Sequence, residues 1–201
     1  MPVSAEQQAV NQFREAGGLM RTSQALDLGI HPRTLYRLRD DGRLEQVSRG
    51  VFRLAELPPM EDPDLVAVAS RVPRAVICLV SALHFHGLTV EIPHEVSLAL
   101  PQGTKSPVLD HPPIRVFRFA AQMYEAGLET HTIDAVPVRI YGPAKSVADA
   151  FRFRNRLGVD VALHALRTGL NERRFTPAEL VRFAKICRVE RQMRPYLEAV
   201  L

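Results

Sequence analysis

"IHPRTLYRLRDDGRLEQVSRGVFRL", residues 30–54, decides how the N-terminal part of the chain folds. Pro32 suits the first turn of a helix, where its missing N–H leaves no hydrogen bond unmade, and two leucines then recur at helical spacing. Gly42 ends that helix. The pieces "LEQV" and "VFRLA" that follow alternate like strands, and Gly50 between them can take the positive φ of a hairpin turn. The stretch therefore predicts a helix followed by a β-hairpin.

Two further helices are predicted upstream of this stretch. Residues 4–16 have helical periodicity, and Ser4 can cap them. In "RTSQALDLGI", Thr22 or Ser23 can cap a second, short helix, and Gly29 supplies the tight turn before the third helix. Three helices followed by a hairpin is the order of a winged helix-turn-helix domain, a fold that commonly binds DNA.

The six arginines between residues 30 and 54 give a reason for that function. Steps of about 100° per residue place Leu35 and Leu38 on one face of the third helix and Arg33, Tyr36 and Arg37 on the opposite face. In a recognition helix the outer face enters the major groove, where arginine reads guanine or binds phosphate. The predicted DNA-binding residues are Arg33, Thr34, Tyr36, Arg37, Arg39, Arg43 and Arg49.

Two of these arginines are predicted to act beside the major-groove face, with Arg39 contacting the DNA backbone. Arg39 lies at the flank of the helix face, and Arg49 lies at the tip of the wing, within reach of a phosphate or the minor groove. The alternative is a solvated helix face and hairpin, since Asp40, Asp41 and Glu45 dilute the local charge.

A second domain is predicted after the proline-rich segment "ELPPMEDPD", which cannot continue a helix. We place the first domain at residues 1–57 and the second at residues 62–201. The second domain mixes a buried helix, "AVICLVSALHFHGL", with strands "HEVSLALP", "IRVFRFA" and "HTIDAVPVRIY", and is helical from Gly142 onward. The predicted fold is α+β: a winged helix-turn-helix domain, then a mixed α/β domain that ends in a helical bundle.

Composition limits the class of protein. Of 201 residues, 46% are apolar, enough to form a core, yet no apolar run has the length of a membrane-spanning helix. The N-terminus lacks the basic and apolar regions of a signal peptide, and the two cysteines, Cys78 and Cys187, lie far apart without a metal-binding spacing. We therefore expect a cytoplasmic protein without a membrane partner. The net charge of +4 gives a weak indication of an anionic partner.

The second domain carries the stronger basic bias. The segment from residue 152 to residue 194 contains ten arginines and one lysine but only four acidic residues. These charges predict either a second nucleic-acid surface or amphipathic helices whose polar faces are basic. Candidates for a second nucleic-acid or antitoxicity surface are Lys145, Arg152, Arg156, Arg173 and Arg174.

The string "GPAKSVADAFRFR" has two interpretations. Lys145 and Asp149 could handle a phosphate in catalysis, or Asp149 could be a buried tie between helices, held by Arg152 three residues later. We favour the structural interpretation. His84 and His86 point to different sides of the predicted helix, so they do not suit a shared metal ion. No motif of a phosphate-binding loop, hydrolase, nuclease or nucleotidyltransferase occurs, so we predict no catalytic residues, metal or cofactor.

The chain resembles the AbiEi-type antitoxins, the DNA-binding members of type IV toxin–antitoxin pairs. The resemblance rests on "HPRTLYRLRDDGRLEQVSRGVFRL" and, in the second domain, on "VICLVSALHFHGLT", "EVSLALPQGTKSP", "VRIYGPAKSVADAFRFRNRLGVDVALHAL" and "RVERQMRPYLEAVL". It implies a repressor that binds inverted repeats in its own promoter and opposes a nucleotidyltransferase-like toxin without a stable complex. It further implies that the N-terminal domain binds the operator and that the C-terminal domain carries antitoxicity. One departure is His31, where a stronger N-cap such as serine is expected.

Two other functions are compatible with the sequence. A ligand-responsive winged-helix transcription factor would hold a small molecule in its C-terminal domain, and its DNA binding would change with that metabolite. An enzyme acting on nucleotides or RNA would use the winged helix for targeting and would show turnover. The absence of catalytic motifs disfavours the enzyme.

Overall fold

A computed structural model describes residues 4–200 and has the predicted α+β fold. The chain forms two compact units. The first contains the residues up to Pro73 together with residues 109–112 and 132–137, and the second contains residues 74–108, 113–131 and those from Val138 onward. The first unit thus extends beyond residue 57, and the independent folding of residues 1–57 and 62–201 stays a prediction. No helix among residues 4–200 combines the length and apolar character that crossing a bilayer requires.

The first unit is a winged helix-turn-helix followed by one more helix. Its elements are α1 (Ala5–Glu15), β1 (Leu19–Arg21), α2 (Thr22–Asp27), α3 (Pro32–Asp40), β2 (Leu44–Ser48), β3 (Val51–Leu54) and α4 (Pro63–Arg71). The predicted hairpin is confirmed, with Gly50 at φ +74° in its turn. β1, too short to show a period, pairs with β3 and completes an antiparallel sheet of order β1-β3-β2.

The helix ends explain how this unit is held. Ser4 caps α1 by accepting a hydrogen bond from the Gln7 N–H at 3.1 Å, as predicted. The N-cap of α2 is Arg21, not Thr22 or Ser23, and its backbone N–H donates to the Gln24 Oε1 at 2.9 Å. His31 caps α3 with its ring, because Nδ1 accepts from the Arg33 N–H at 3.1 Å. His31 therefore caps α3 in the way expected of a serine at this position.

One apolar core lies beneath these elements. Its largest members are Phe13, Met20, Ile30, Leu35, Leu38, Leu44, Phe52 and Leu54. The leucines of α3 belong to it as predicted, whereas Leu26 and Leu28 are exposed. α4 packs against β2 and β3, and Asp62 caps it by accepting from the Leu65 N–H at 3.0 Å. The Asp-Pro pair that starts α4 is a helix signal, but we did not predict this helix.

The second unit contains a five-stranded mixed sheet and a helical layer. Its elements are β4 (Val76–Ile77), α5 (Leu79–Phe85), β5 (Val96–Pro101), β6 (Ile114–Phe119), α6 (Ala121–Glu125), β7 (Leu128–Ile133), β8 (Val136–Tyr141), α7 (Pro143–Arg152), α8 (Arg154–Leu157), α9 (Val159–Asn171), α10 (Pro177–Ile186) and α11 (Glu190–Glu198). The end of β7, the start of β8 and the turn between them, residues 132–137, are the part of this sheet that is counted with the first unit. The strand order is β6-β5-β4-β8-β7, so β6 and β7 are the edges. β4 pairs antiparallel with β5 and parallel with β8, and β5 pairs parallel with β6.

Two predicted elements of this unit are wrong in part. The predicted helix "AVICLVSALHFHGL" begins as strand β4 and becomes helical only at Leu79. The predicted strand "HTIDAVPVRIY" is the end of β7, a turn and β8, because Asp134 and Ala135 adopt φ of +47° and +63°. Left-handed backbone at two successive residues reverses a chain, and glycine or asparagine, the usual signals for such a turn, are absent.

The helical layer is organised around α7, which is buried along nearly its whole length. α5, α9, α10 and α11 pack around it. Lys145 and Asp149, one turn apart on α7, form an ion pair whose side chains are both 0% exposed. The partner of Asp149 is therefore Lys145, not Arg152 as predicted. The Arg152 guanidinium instead donates to the Cys187 carbonyl at 2.9 Å.

The environment of the pair satisfies its remaining polar atoms. The Cys187 thiol donates to the Asp149 Oδ1 at 3.2 Å, and the Lys145 ammonium lies 4.0 Å from the centre of the Tyr141 ring. Burial raises the pKa of Asp149, and the Lys145 ammonium opposes that rise. The pair thus connects α7 to the end of α10 and to β8.

Asp149→Ala should destabilise the protein by about 3–5 kcal/mol, because it leaves the Lys145 ammonium buried without a counter-charge. The double variant Lys145→Met/Asp149→Leu, which removes both charges, should recover much of that loss. Urea unfolding at one protein concentration measures both. Equal destabilisation by the single and the double variant would show that shape, not charge pairing, matters at this position.

Candidate nucleic-acid interface

The outer face of α3 is the candidate reading surface. Leu35 and Leu38 are fully buried and fix the inner face against the core. Arg33, Tyr36 and Arg37 are consequently exposed, and Thr34 is half-buried beside them. The helical wheel thus predicted which way these side chains face, but their contact with DNA stays a prediction.

Arg33 and Arg37 differ in their partners. The Arg37 Nη1 lies 2.9 Å from the Glu6 Oε1 of α1, and this hydrogen bond raises the pKa of Arg37. The Arg33 side chain makes no ion pair among the described residues. Arg33 is therefore free to bind an anion, whereas Arg37 must first leave Glu6. Exposed pairs of this kind are weak, so that exchange costs little.

Tyr36 and Arg39 form a stacked group at the flank of α3. The Arg39 guanidinium carbon lies 5.0 Å from the centre of the Tyr36 ring, and its Nη2 pairs with the Asp40 Oδ1 at 2.7 Å. The Tyr36 ring meets Phe52 of the core edge to face at 6.0 Å. These contacts limit the movement of Tyr36 and leave its hydroxyl with no hydrogen bond among residues 4–200.

The wing contributes one exposed cation. Arg49, at the hairpin tip, has an 83% exposed side chain, and its Nη1 is 4.0 Å from the Asp110 Oδ2, at the limit of an ion pair. The Arg49 carbonyl accepts from the Arg71 Nη1 of α4 at 2.9 Å, which steadies the tip. Arg43 is half-buried, and its Nη2 donates to the Gln7 Oε1 at 3.2 Å.

The sixth arginine of the stretch has a structural role. Arg53 of β3 is buried, pairs with Glu45 and donates to the Pro58 carbonyl. It holds the segment after β3 against the sheet and gives Glu45 a counter-charge.

The predicted second basic surface is corrected at one residue. Lys145 is fully buried in its pair with Asp149, so it cannot contribute to any surface. Arg152 and Arg156 are exposed, and both guanidinium groups lie near the Phe153 ring, at 5.9 Å and 6.0 Å from its centre. Their charges are therefore held together around one aromatic side chain.

Arg173 and Arg174 lie in the turn between α9 and α10, and both are exposed. Arg173 adopts φ +54°, a left-handed conformation that ends α9. Arg174 lines a cleft of about 240 Å³ together with Glu129 and Arg182. Arg174 thus faces a cleft, whereas Arg152 and Arg156 surround Phe153, so the four arginines divide into two local groups.

A group of possible metal ligands was missed in the sequence. One ligand atom from each of His86, Glu129 and His131 lies within 4.8 Å of the other two. The sequence signal was the spacing of Glu129 and His131, which places both on one face of β7. The partner, His86, lies 43 residues earlier at the end of α5. Burial lowers the pKa of His86, which favours the neutral form of its ring.

Two comparisons with known proteins found similarities, one to a protein family and one to a solved structure. Residues 8–55 match a family model described as "Transcriptional regulator, AbiEi antitoxin". Among solved structures, the chain is similar to the crystal structure of the RV2827C protein from Mycobacterium tuberculosis, at 16% sequence identity and a TM-score of 0.60 over 98% of this chain and 82% of that one. No curated protein matches.

The family match confirms the resemblance over the winged helix-turn-helix. It covers α2, α3 and the wing, and all seven candidate DNA-binding residues lie within it. The family is one of transcriptional regulators and supports a DNA-binding antitoxin. The structural neighbour shows the likeness of the whole fold alone, because its identity is low.

Glu6→Gln should raise affinity for duplex DNA, at most about fivefold, because it frees Arg37 and removes a negative charge near the DNA backbone. Fluorescence anisotropy at two salt concentrations measures this, and the gain should shrink at high salt. Glu15→Gln, an exposed change on the same helix, is the matched control. Unaltered or weaker binding by Glu6→Gln would show that Arg37 does not act on DNA.

Proposed function

We propose that this chain is an antitoxin that represses its own operon and counteracts a nucleotidyltransferase-like toxin. The observation that carries the proposal is the AbiEi match over a helix-turn-helix whose α3 presents an exposed Arg33 on its outer face, without an ion pair within residues 4–200. Inverted repeats in its own promoter are the proposed operator. The toxin is a functional partner, proposed to be opposed without a stable complex.

The geometry supports a division between reading bases and binding the backbone. Arg33 stands in the first turn of α3, and the N-terminal residues of a recognition helix are the ones that reach base edges. Arg39 is held over Tyr36 at the flank, and Arg49 extends from the wing, so both suit phosphate contacts. We therefore assign base reading to Arg33 and Arg37, and positioning to Arg39, Arg43, Arg49, Thr34 and Tyr36.

Arg33→Ala and Arg37→Ala should each weaken operator binding. Loss of one bidentate arginine–guanine pair costs roughly 5- to 150-fold in discrimination at that base. Binding to the promoter repeats and to a scrambled duplex, measured side by side, separates loss of base reading from loss of charge. Lys105→Ala, which removes an exposed cation from the second unit, is the control.

If both arginine variants bind operator and scrambled DNA as the unmodified protein does, α3 is not the reading element. Adding small metabolites to the same assay tests the ligand-responsive alternative, because a metabolite that changes operator affinity would favour it. Turnover of a nucleotide or RNA would favour the enzyme.

Antitoxicity is proposed to reside in the second unit, with Arg152, Arg156, Arg173 and Arg174 as its candidate surface. Replacing all four by glutamine should leave operator binding and repression intact and should abolish rescue of cells from the toxin. The measurement is growth of cells that express both genes, together with a reporter for repression.

Two other results would assign these arginines differently. Rescue that survives with a flatter dependence of DNA affinity on salt would mean that they contact DNA, since each phosphate contact contributes about −0.9 to that slope. A lower melting temperature with both functions reduced would mean that they are structural. Arg152→Gln alone tests the second result, because only this arginine of the four donates to the Cys187 carbonyl.

A further inference from the structure

We propose that His86, Glu129 and His131 form a binding site for a divalent transition-metal ion, with Zn²⁺ as the best match. Their ligand atoms lie within 4.8 Å of one another. The proposal does not depend on the DNA-binding function, because all three residues belong to the second unit.

The donor set selects the class of ion. Two imidazole nitrogens and one carboxylate oxygen are a known zinc ligand set, whereas Ca²⁺ and Mg²⁺ prefer oxygen ligands alone. Ligand atoms about 2.1 Å from a tetrahedral ion are roughly 3.4 Å apart. The His131 Nε2 and the Glu129 Oε2 are already 2.9 Å apart. The metal ion would replace this hydrogen bond once the His131 ring carries its proton on Nδ1, an exchange between tautomers that passes through water. Small side-chain rotations complete the site.

His86 is held in the orientation that a ligand needs. Its Nε2 is 2.9 Å from the Tyr141 carbonyl oxygen, which can only accept, so Nε2 carries the proton. The other nitrogen, Nδ1, therefore has its lone pair available. Metal-bound histidines almost always donate their second N–H to a carbonyl or carboxylate, and this contact fixes the ring. In the present site the fixing contact exists without the metal.

The backbone also brings the three residues together rigidly. Glu129 and His131 are two apart on β7 and share one face of the strand, while His86 ends α5. The Phe85 ring contacts both histidine rings, at 5.1 Å from His86 and 4.9 Å from His131. An apolar wall on one side of the site limits water there and strengthens the attraction between a cation and the carboxylate.

Glu129 connects the site to solvent. It lines the cleft of about 240 Å³ that Arg174 and Arg182 also line. This cleft gives an ion a path of entry and leaves room for water as the remaining ligand. The two arginines oppose a bare cation but would attract an anion bound to it. An ion held here would fasten edge strand β7 to the end of α5.

The test uses the full chain without a histidine tag. Titration calorimetry with ZnCl₂ should show one site per chain, and Co²⁺ should give the visible absorption bands of a nitrogen- and oxygen-ligated ion. Glu129→Gln and His131→Gln should each lose at least the roughly 10–100-fold in affinity that follows removal of an outer-shell partner. Both residues are at least partly exposed, so both variants should fold, with melting temperatures near that of the unmodified metal-free protein.

His84→Gln is the matched control. It removes an exposed histidine two residues from His86 that is outside the cluster, and it should bind zinc as the unmodified protein does. Zinc should raise the melting temperature of the unmodified protein and of His84→Gln, but not that of the two ligand variants. Retention of full affinity by Glu129→Gln or by His131→Gln, or absence of stoichiometric binding by the unmodified protein, would overturn the three-ligand site.

Discussion

The buried ion pair between Lys145 and Asp149 is the constraint on which the second unit depends. Both side chains are 0% exposed, and removing two charges from water costs several kcal/mol per ion even after relaxation. That cost is offset only where the geometry leaves no polar atom without a partner. The Cys187 thiol and the Tyr141 ring complete the surroundings, so the pair determines where α10 and β8 must lie against α7.

Lys145 also limits which residue can stand just before β7. Gly127 has φ +69°, and a Cβ there would lie 2.6 Å from the Lys145 Cβ, so no larger residue fits without moving α7. At Gly142, the N-cap of α7, an added Cβ would collide with the Glu129 carboxylate. The position of α7 therefore fixes both ends of the β7–β8 segment. This segment carries Glu129 and His131, and β8 ends in the Tyr141 carbonyl that orients His86.

Elements with local signals were predictable from the sequence, and elements defined by distant contacts were not. Capping residues, glycine turns and leucine spacing were enough for α1, α3 and the wing, because each signal acts within a few residues. β4 was missed because its two residues are apolar, like the helix that follows, and only pairing with β5 and β8 makes them a strand. β5 was predicted as a strand, but the pattern did not show that neighbours on both sides bury five of its six residues.

The candidate sites divide in the same way. The direction of Arg33 and Arg37 follows from helix periodicity alone. The partner of Arg37 lies on another helix, α1, and the burial that makes Lys145 the partner of Asp149 depends on the elements packed around α7. The metal-ligand group could not be predicted from spacing, since its third member comes from a separate helix.

Burial, more than residue type, separates the charges that bind from the charges that hold the fold. Arg37 and Lys145 each pair with one carboxylate, yet the first pair is exposed to water and the second is not. Water screens the exposed pair, so a phosphate or a guanine can take the place of Glu6 at little cost. As long as Lys145 is charged, removing Asp149 is costly, because it would leave an ammonium in an apolar interior without a counter-charge. A sequence gives the charge of a lysine but not the dielectric around it, which is why Lys145 was assigned to a surface that it does not reach.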